Sequence, residues 1–354
     1  MRLAARGGIL RLGRVFAQGK TLEIGRPDFS ELFAQKSGLS SAKRFAKDQP
    51  VTSACHDLMT LADAEWRAIA LAHFERAKVH TGPARERRDR GLPHPIADFL
   101  FDYYPYPFAF LEQWHPGIGT GIEWSTEAAQ DPALRHLSNR GYREENGALF
   151  ADPALMPEKE KQRLEWIVSL LEATRDRAPN FACHGLHEWA MVYGGRSVRH
   201  EKILPLRLPQ QEIDALVSSR PICCSHHDAF RFFADEARPF NRLQPDLATR
   251  HEHEQPGCLH ANMDLYKWAA KAMPWCGSDL LIECFELAVR IRDLDMRASP
   301  YDLTAWGRDA VCIETPEGRK GYENEQRELA TEAQPLRERL IGRIQRTLDE
   351  HGKK

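Results

Sequence analysis

The sequence predicts a mainly α fold with a minority of short strands, an α+β chain whose helical core surrounds a pocket of buried His, Asp and Glu. Three observations predict it. Apolar residues recur every three or four positions through long stretches early, midway and late in the chain. Strand-like patterns are short and confined to residues 118–155 and the start of Arg220–Phe233. The stretch Cys183–His260 sets histidine, cysteine and carboxylates among aromatic and aliphatic residues, and polar groups carried inside without partners cost about 2–7 kcal/mol each.

Residues 1–50 are basic, Gly-containing and weakly periodic, which reads as a loosely structured arm ahead of one mostly helical catalytic domain, 51–354. Arg2, Arg6, Arg11, Arg14 and Lys20 precede the first acid, Glu23, so the arm resembles an organellar presequence in composition. A solvated N-terminus is the commoner origin of such a segment. A helix is expected over Ala54–Val79, where Leu58, Ala62, Trp66, Ile69 and His73 share a face. The charge run Ala84–Gly91 reads as a solvated connection. The aromatic block His94–Gly117 is broken by Pro105, Pro107 and Pro116, so no single element crosses it. Helix signals resume over Glu158–Arg177, with Pro157 placed for the first helical position. Ser278 is the expected N-cap of a helix reaching Met296, stopped by Ser299-Pro300 and supported by the pairs Glu286–Arg290 and Asp293–Arg297. A last helix, Gly321–Glu350, is expected to be interrupted at Pro335.

The overall charge of −2 gives no global drive towards nucleic acid, although a local basic groove is compatible with it. No apolar run approaches the ~20 residues that cross a bilayer, so a cytoplasmic protein without a membrane partner is expected. The 8 cysteines form no C-x-x-C pair, which excludes a zinc ribbon and leaves reduced, mostly buried thiols as the default.

Three segments carry the chemistry. In CHGLHEWAMVY a helix would put His184, His187, Glu188 and Met191 on one face, giving either a metal pair or a base with its orienting partner. Met191 stands where a zinc protease needs its second histidine, so that motif is absent. In CCSHHDAFRFF an extended backbone aligns His226 with Asp228, and one distant histidine, His187 or His260, would complete a two-histidine, one-carboxylate metal site. The competing reading has Asp228 capping a short helix. In GCLHANMDLYKWAAKAM a helix aligns His260, Asp264, Lys267 and Lys271. There Asp264 either pairs with a lysine at the surface or is buried with a raised pKa and acts as a base. Arg297, at a helix end, would clamp an anionic substrate group or lock its own turn. No G-x-G-x-x-G, Walker A, G-x-S-x-G or zinc-deaminase motif occurs.

Taken together, HPIADFLFDYY, WHPG, HGLHEWAMVY, CSHHDAFRFF, EQPGCLHANMDLYKW, LDMRASPYDL and IETPEGR resemble a bacterial family commonly labelled 3-methyladenine DNA glycosylase. The resemblance spans residues 70–345, and the chain lacks the helix-hairpin-helix of other alkylbase glycosylases. In the family's pattern the position of His227 is usually aromatic, which favours His226 and Asp228 for chemistry. The resemblance implies a DNA-repair hydrolase that removes an alkylated base, without a cofactor, from damaged DNA or a nucleobase-like small molecule. Asp228, Asp264 or Glu188 would then activate water, and Trp189, Tyr266 and Trp268 would line the base pocket. Arg196, Arg199 and His200 would face phosphate. The alternative is an iron- or zinc-dependent enzyme acting on a small molecule through His187, His226, Asp228 and His260. A non-enzymatic helical binding protein with structural histidines is the third reading.

Overall fold

A four-stranded sheet and a helical body make up the structure, a computed structural model that describes residues 59–138, 141–195 and 204–352. The expected basic arm and the expected phosphate-facing Arg196, Arg199 and His200 lie outside the described residues. The fold is mainly α with a minority of short strands, as the periodicity predicts.

Strand β1 (Met59–Leu61) leads into helix α1 (Asp63–Asp89), which starts later and runs further than its apolar pattern indicates. The Glu65 carboxylate accepts the Ala62 N–H at 3.0 Å and fixes the start. Pro83 lies inside α1, and the charge run expected to be a connection forms its last turns. The reason is docking. Arg85, Arg87 and Arg88 pair with Glu112, Asp98 and Asp102 at 2.6, 2.5 and 2.8 Å, tying α1 to the aromatic block. That block divides at its prolines into α2 (Phe99–Tyr103) and α3 (Phe108–Glu112).

The strands β2 (Thr120–Glu123), β3 (Tyr142–Glu145) and β4 (Ala148–Ala151) complete the sheet in the order β1-β2-β4-β3. β1 runs parallel to β2, while β4 is antiparallel to both β2 and β3. Asn146 and Gly147, with φ of 52° and 75°, close the β3–β4 hairpin with both central residues left-handed, the geometry an Asn-Gly turn favours. Short helix α4 (Thr126–Gln130) follows β2. Trp66, Trp114, Ile122, Trp124 and Leu149 form a separate apolar cluster between sheet and α1.

The helical body comprises α5 (Glu158–Asp176), α6 (Leu186–Met191), α7 (Gln210–Ser218), α8 (His227–Phe230), α9 (Arg250–His253), α10 (Leu259–Lys271), α11 (Ser278–Arg297) and α12 (Pro316–His351). Helix α10 is central, packing on α5, α11 and α12 and buried at every residue from Leu259 to Ala270. Pro157 is the N-cap of α5 and not its first residue. Gly277, at φ 75°, takes the cap position of α11 expected for Ser278. The Ser278 hydroxyl instead donates to the Gln113 carbonyl at 3.1 Å and accepts the His115 N–H at 2.9 Å, joining α11 to the loop after α3. Of the expected pairs on α11, Asp293–Arg297 forms at 2.9 Å, but Glu286 binds Arg76 and Arg290 binds Glu332, so tertiary partners displace the local one. Helix α12 begins with the Thr315 hydroxyl accepting the Gly318 N–H at 3.0 Å and continues through Pro335. Its buried stripe from Tyr322 to Thr347 holds the helix across the break in its hydrogen bonds. No helix among the described residues is long and apolar enough to cross a membrane.

Candidate active site

Two turns of α10 set His260, Asp264 and Lys267 on one face, as the sequence spacing predicts, and the rest of a buried ionic network gathers around them. Along this face the network forms two groups that meet at His260.

The first group joins α6 to α11. His187 Nε2 lies 2.9 Å from Asp295 Oδ1, and His187 Nδ1 lies 3.4 Å from Cys183 Sγ. Arg292 donates to Asp295 at 2.7 Å and to Glu188 at 3.0 Å, with its guanidinium 3.8 Å above the Phe99 ring. Burial pulls the His187 imidazolium down, but Asp295 and Cys183 outweigh it and hold the pKa well above the ordinary value. Glu188 is shifted the other way for a carboxylate, raised first by burial and then by the neighbouring Asp295 charge. His184 does not share the expected helical face. It precedes α6 in a left-handed turn, at φ 47°, and Gly185 follows at φ 73°.

The second group joins α8, α9 and α10. Tyr104, just after α2, donates its hydroxyl to Asp264 Oδ1 at 2.7 Å. Arg250 donates to Asp264 Oδ2 at 3.0 Å and to Glu254 at 2.5 Å. Lys267 binds Asp264 and reaches Asp228 at 3.2 Å. His226 Nε2 lies 3.3 Å from Asp264 and 3.4 Å from Glu254. The expected surface pairing of Asp264 is therefore an interior one, with only 1% of its side chain exposed. The expected raised pKa is also corrected. Burial raises it, but Lys267, His226 and Arg250 together drive it well below the ordinary range. Asp228 behaves alike, burial being outweighed chiefly by Lys267, and at 13% side-chain exposure it sits nearer the rim. It lies in the first turn of α8 behind an N-cap at His226, so it is not the cap.

The His260 ring packs edge-on to His187 at 4.7 Å and lies 5.6 Å from His226. Burial lowers its pKa to about 3, so it is neutral, and among the described residues neither ring nitrogen has a hydrogen-bond partner. The His226 Nδ1 atom is likewise buried without one.

The four expected metal ligands do not converge on one point. The ligand atoms within 4.8 Å of one another are those of His187, His260 and Asp295, and separately those of His226, Asp228 and Asp264. Helix α10 separates the groups because His260 and Asp264 stand about one turn, ~6 Å, apart along its axis. Trp189, Tyr266 and Trp268, expected to line a base pocket, are instead core residues at 0, 2 and 1% exposure. Trp189 donates its ring N–H to the Ala298 carbonyl at 2.8 Å, and Trp268 lies under Lys267 at 4.4 Å. Arg297 pairs with Asp293 and Glu325, outside both groups, and so ties down its helix end. The half-buried aromatics at the site are Phe99 and Tyr103, stacked with ring centroids 5.1 Å apart. The charges of Asp228 and Asp264 act on Tyr103 and add to burial in raising its pKa.

Asp295, Cys183 and Tyr104 complete the network together with Arg250, Glu254 and Arg292, the three that no sequence pattern singled out. Comparison of the chain with protein-family models, with curated proteins and with solved structures finds no match in any of the three.

Proposed function

We propose that the chain is a hydrolase of an N-glycosidic bond, with Asp228 as the carboxylate that faces the reacting sugar. One observation carries this reading: Asp228 is an ionised carboxylate at the rim of a network with excess negative charge. Glu188, Asp228, Glu254, Asp264 and Asp295 stand against Arg250, Lys267 and Arg292. Even with His187 protonated, the carboxylates outnumber the cations. Such a field favours a transition state that gains positive charge, as the sugar does when the bond to a base breaks. Lys267 and Arg250 keep Asp228 ionised, which suits it to stabilise that charge or orient water and makes it unsuited to donate a proton. Tyr103, half-buried and backed by Phe99, offers a planar surface for the base in place of the buried trio.

The test is release of free 3-methyladenine, measured by chromatography, from methylated DNA and from the methylated nucleoside. Wild-type protein releases base from at least one of the two, and Asp228→Asn lowers the rate on the order of 10²–10⁴-fold. Release from neither, or undiminished release by Asp228→Asn, contradicts the reading.

Iron or zinc is the competing proposal. The neutral, unpartnered His260 favours it. Two features weigh against it: His187 has both ring nitrogens engaged, and Lys267 already bridges Asp228 and Asp264. Metal analysis of the freshly purified chain separates the two proposals.

A further inference from the structure

Cys183, His187 and Asp295 line up as a nucleophile, a base and the group that orients the base. We propose that they form a second reactive centre, in which the Cys183 thiol accepts an acyl group from an ester or thioester. Neither the glycosidic reading nor Asp228 is involved in this step.

Four observations carry the proposal. The Cys183 sulfur and Asp295 Oδ1 occupy opposite nitrogens of the His187 ring, at 3.4 and 2.9 Å. That is the connectivity by which a carboxylate fixes an imidazole to take a proton from a thiol. Asp295 is itself held by Arg292 at 2.7 Å, so the orienting carboxylate does not swing. Cys183 is followed by two left-handed residues, and one of them, His184 at φ 47°, is not glycine. Backbone strain of about 1–3 kcal/mol persists only where surrounding structure over-determines it, and it concentrates at reactive sites. Lastly, Cys183 is only half-buried, and a surface hollow of about 500 Å³ has Ala182 and His184, the residues on either side of it, in its wall. Ala178, Pro179, Asn180, Phe181, Glu323 and Arg327 form the rest of that wall, with the Arg327 guanidinium 3.9 Å over the Phe181 ring and Cys183 just behind the wall.

His260 gives the centre a second imidazole. It is 9% exposed, has no hydrogen-bond partner among the described residues and lies edge-on to His187. The Cys183 thiol is drawn below its ordinary pKa by the Cys224 thiol and, against burial, by His187. Cys223, Cys258, Cys276 and Cys284 are all shifted up by burial. In the step proposed, Cys183 Sγ attacks the acyl carbon, a C–S bond forms and the bond to the leaving alcohol or thiol breaks. The proton that Cys183 and His187 share passes from the imidazole to the leaving group. Water then releases the acid by the same route, so no co-reactant beyond water is needed.

The experiment treats the full chain, reduced, with p-nitrophenyl acetate and follows p-nitrophenolate together with peptide mass mapping. The expected result is a burst equivalent to one acetyl group per chain, located on Cys183 and absent in Cys183→Ser. His187→Ala should slow acylation on the order of 10²–10⁴-fold, and free imidazole should restore part of the rate, which a merely structural role does not predict. Should His187→Ala fail to fold, Cys183→Ser still decides, being close in size to the native residue. Acetyl groups found on other thiols and not on Cys183, or an unchanged burst in Cys183→Ser, would overturn the proposal. So would a folded His187→Ala that acylates at the wild-type rate.

Discussion

Asp264 is the residue on which the second group turns. It binds Tyr104, Arg250 and Lys267 at once and has His226 at 3.3 Å. Breaking a buried charge pair from one side leaves its partner uncompensated, at a cost of about 3–5 kcal/mol. Asp264→Asn keeps the size and the contact with Tyr104 but strips Arg250 and Lys267 of their shared anion. It should lower the urea-derived unfolding free energy by about that amount, whereas Asp228→Asn, nearer the rim, should cost clearly less. Equal losses in the two variants would mean that Asp264 is not the keystone. The placement of Asp264 beside Lys267 was legible from the i,i+3 spacing on an otherwise apolar helix, but the direction of its pKa was not. Besides Lys267, that direction depends on His226 and Arg250, and Arg250 lies in the polar run RHEHE, which reads as solvated surface. Nothing local in that run shows that α9 folds back onto α10. Cys183 was hidden for a similar reason, since its partner Asp295 is 108 residues away from the histidine that links them.

Among the elements, the turn before α6 is where backbone conformation matters most. Gly185 and Gly194 have nearly the same φ, 73° and 72°, so alanine at either position loses about 1–2 kcal/mol to strain. They differ in space. A Cβ on Gly185 would stand 3.3 Å from Ala298 Cβ and 3.4 Å from the Tyr322 ring, while Gly194 has nothing within 4 Å. Gly185→Ala should therefore be the more destabilising by a further 1–3 kcal/mol, roughly the usual cost of overpacking. Chemical denaturation of the two variants side by side checks this, and equal losses would contradict the packing described around α6. Helices whose apolar stripe lies within one element, α5, α10 and α11, were legible from periodicity. The last turns of α1 and the passage of α12 through Pro335 were not. There the local signals, a charge run and a proline, are overridden by ion pairs to the α2–α3 segment and by a buried stripe. The β3–β4 turn had a signal that could have been used, Asn146-Gly147.

Across the whole molecule, buried neutral histidines set the acid limit. His115 and His260 both have their pKa lowered from 6.5 to about 3, by burial first. In the unfolded chain these imidazoles take up protons below pH 6.5, while in the folded chain they do so only near pH 3. Their contribution is thus fully present above pH 6.5 and is lost as pH falls towards 3, with a slope of up to about 1.4 kcal/mol per pH unit for each group. Replacing His115 with Gln, which does not titrate, should flatten the fall in stability between pH 6 and pH 4 in urea titrations. A slope identical to wild type would mean that His115 is not neutral in the fold.

The same closed, acidic interior underlies the central claim, that Asp228 serves the breaking of a bond to a base. The most direct measurement is base release by the full chain after exhaustive chelation, wild type against Asp228→Asn. The account predicts free 3-methyladenine from the chelated wild type and a loss on the order of 10²–10⁴-fold in the variant. Release that disappears on chelation and returns with iron or zinc, or that is unaffected by Asp228→Asn, would contradict it.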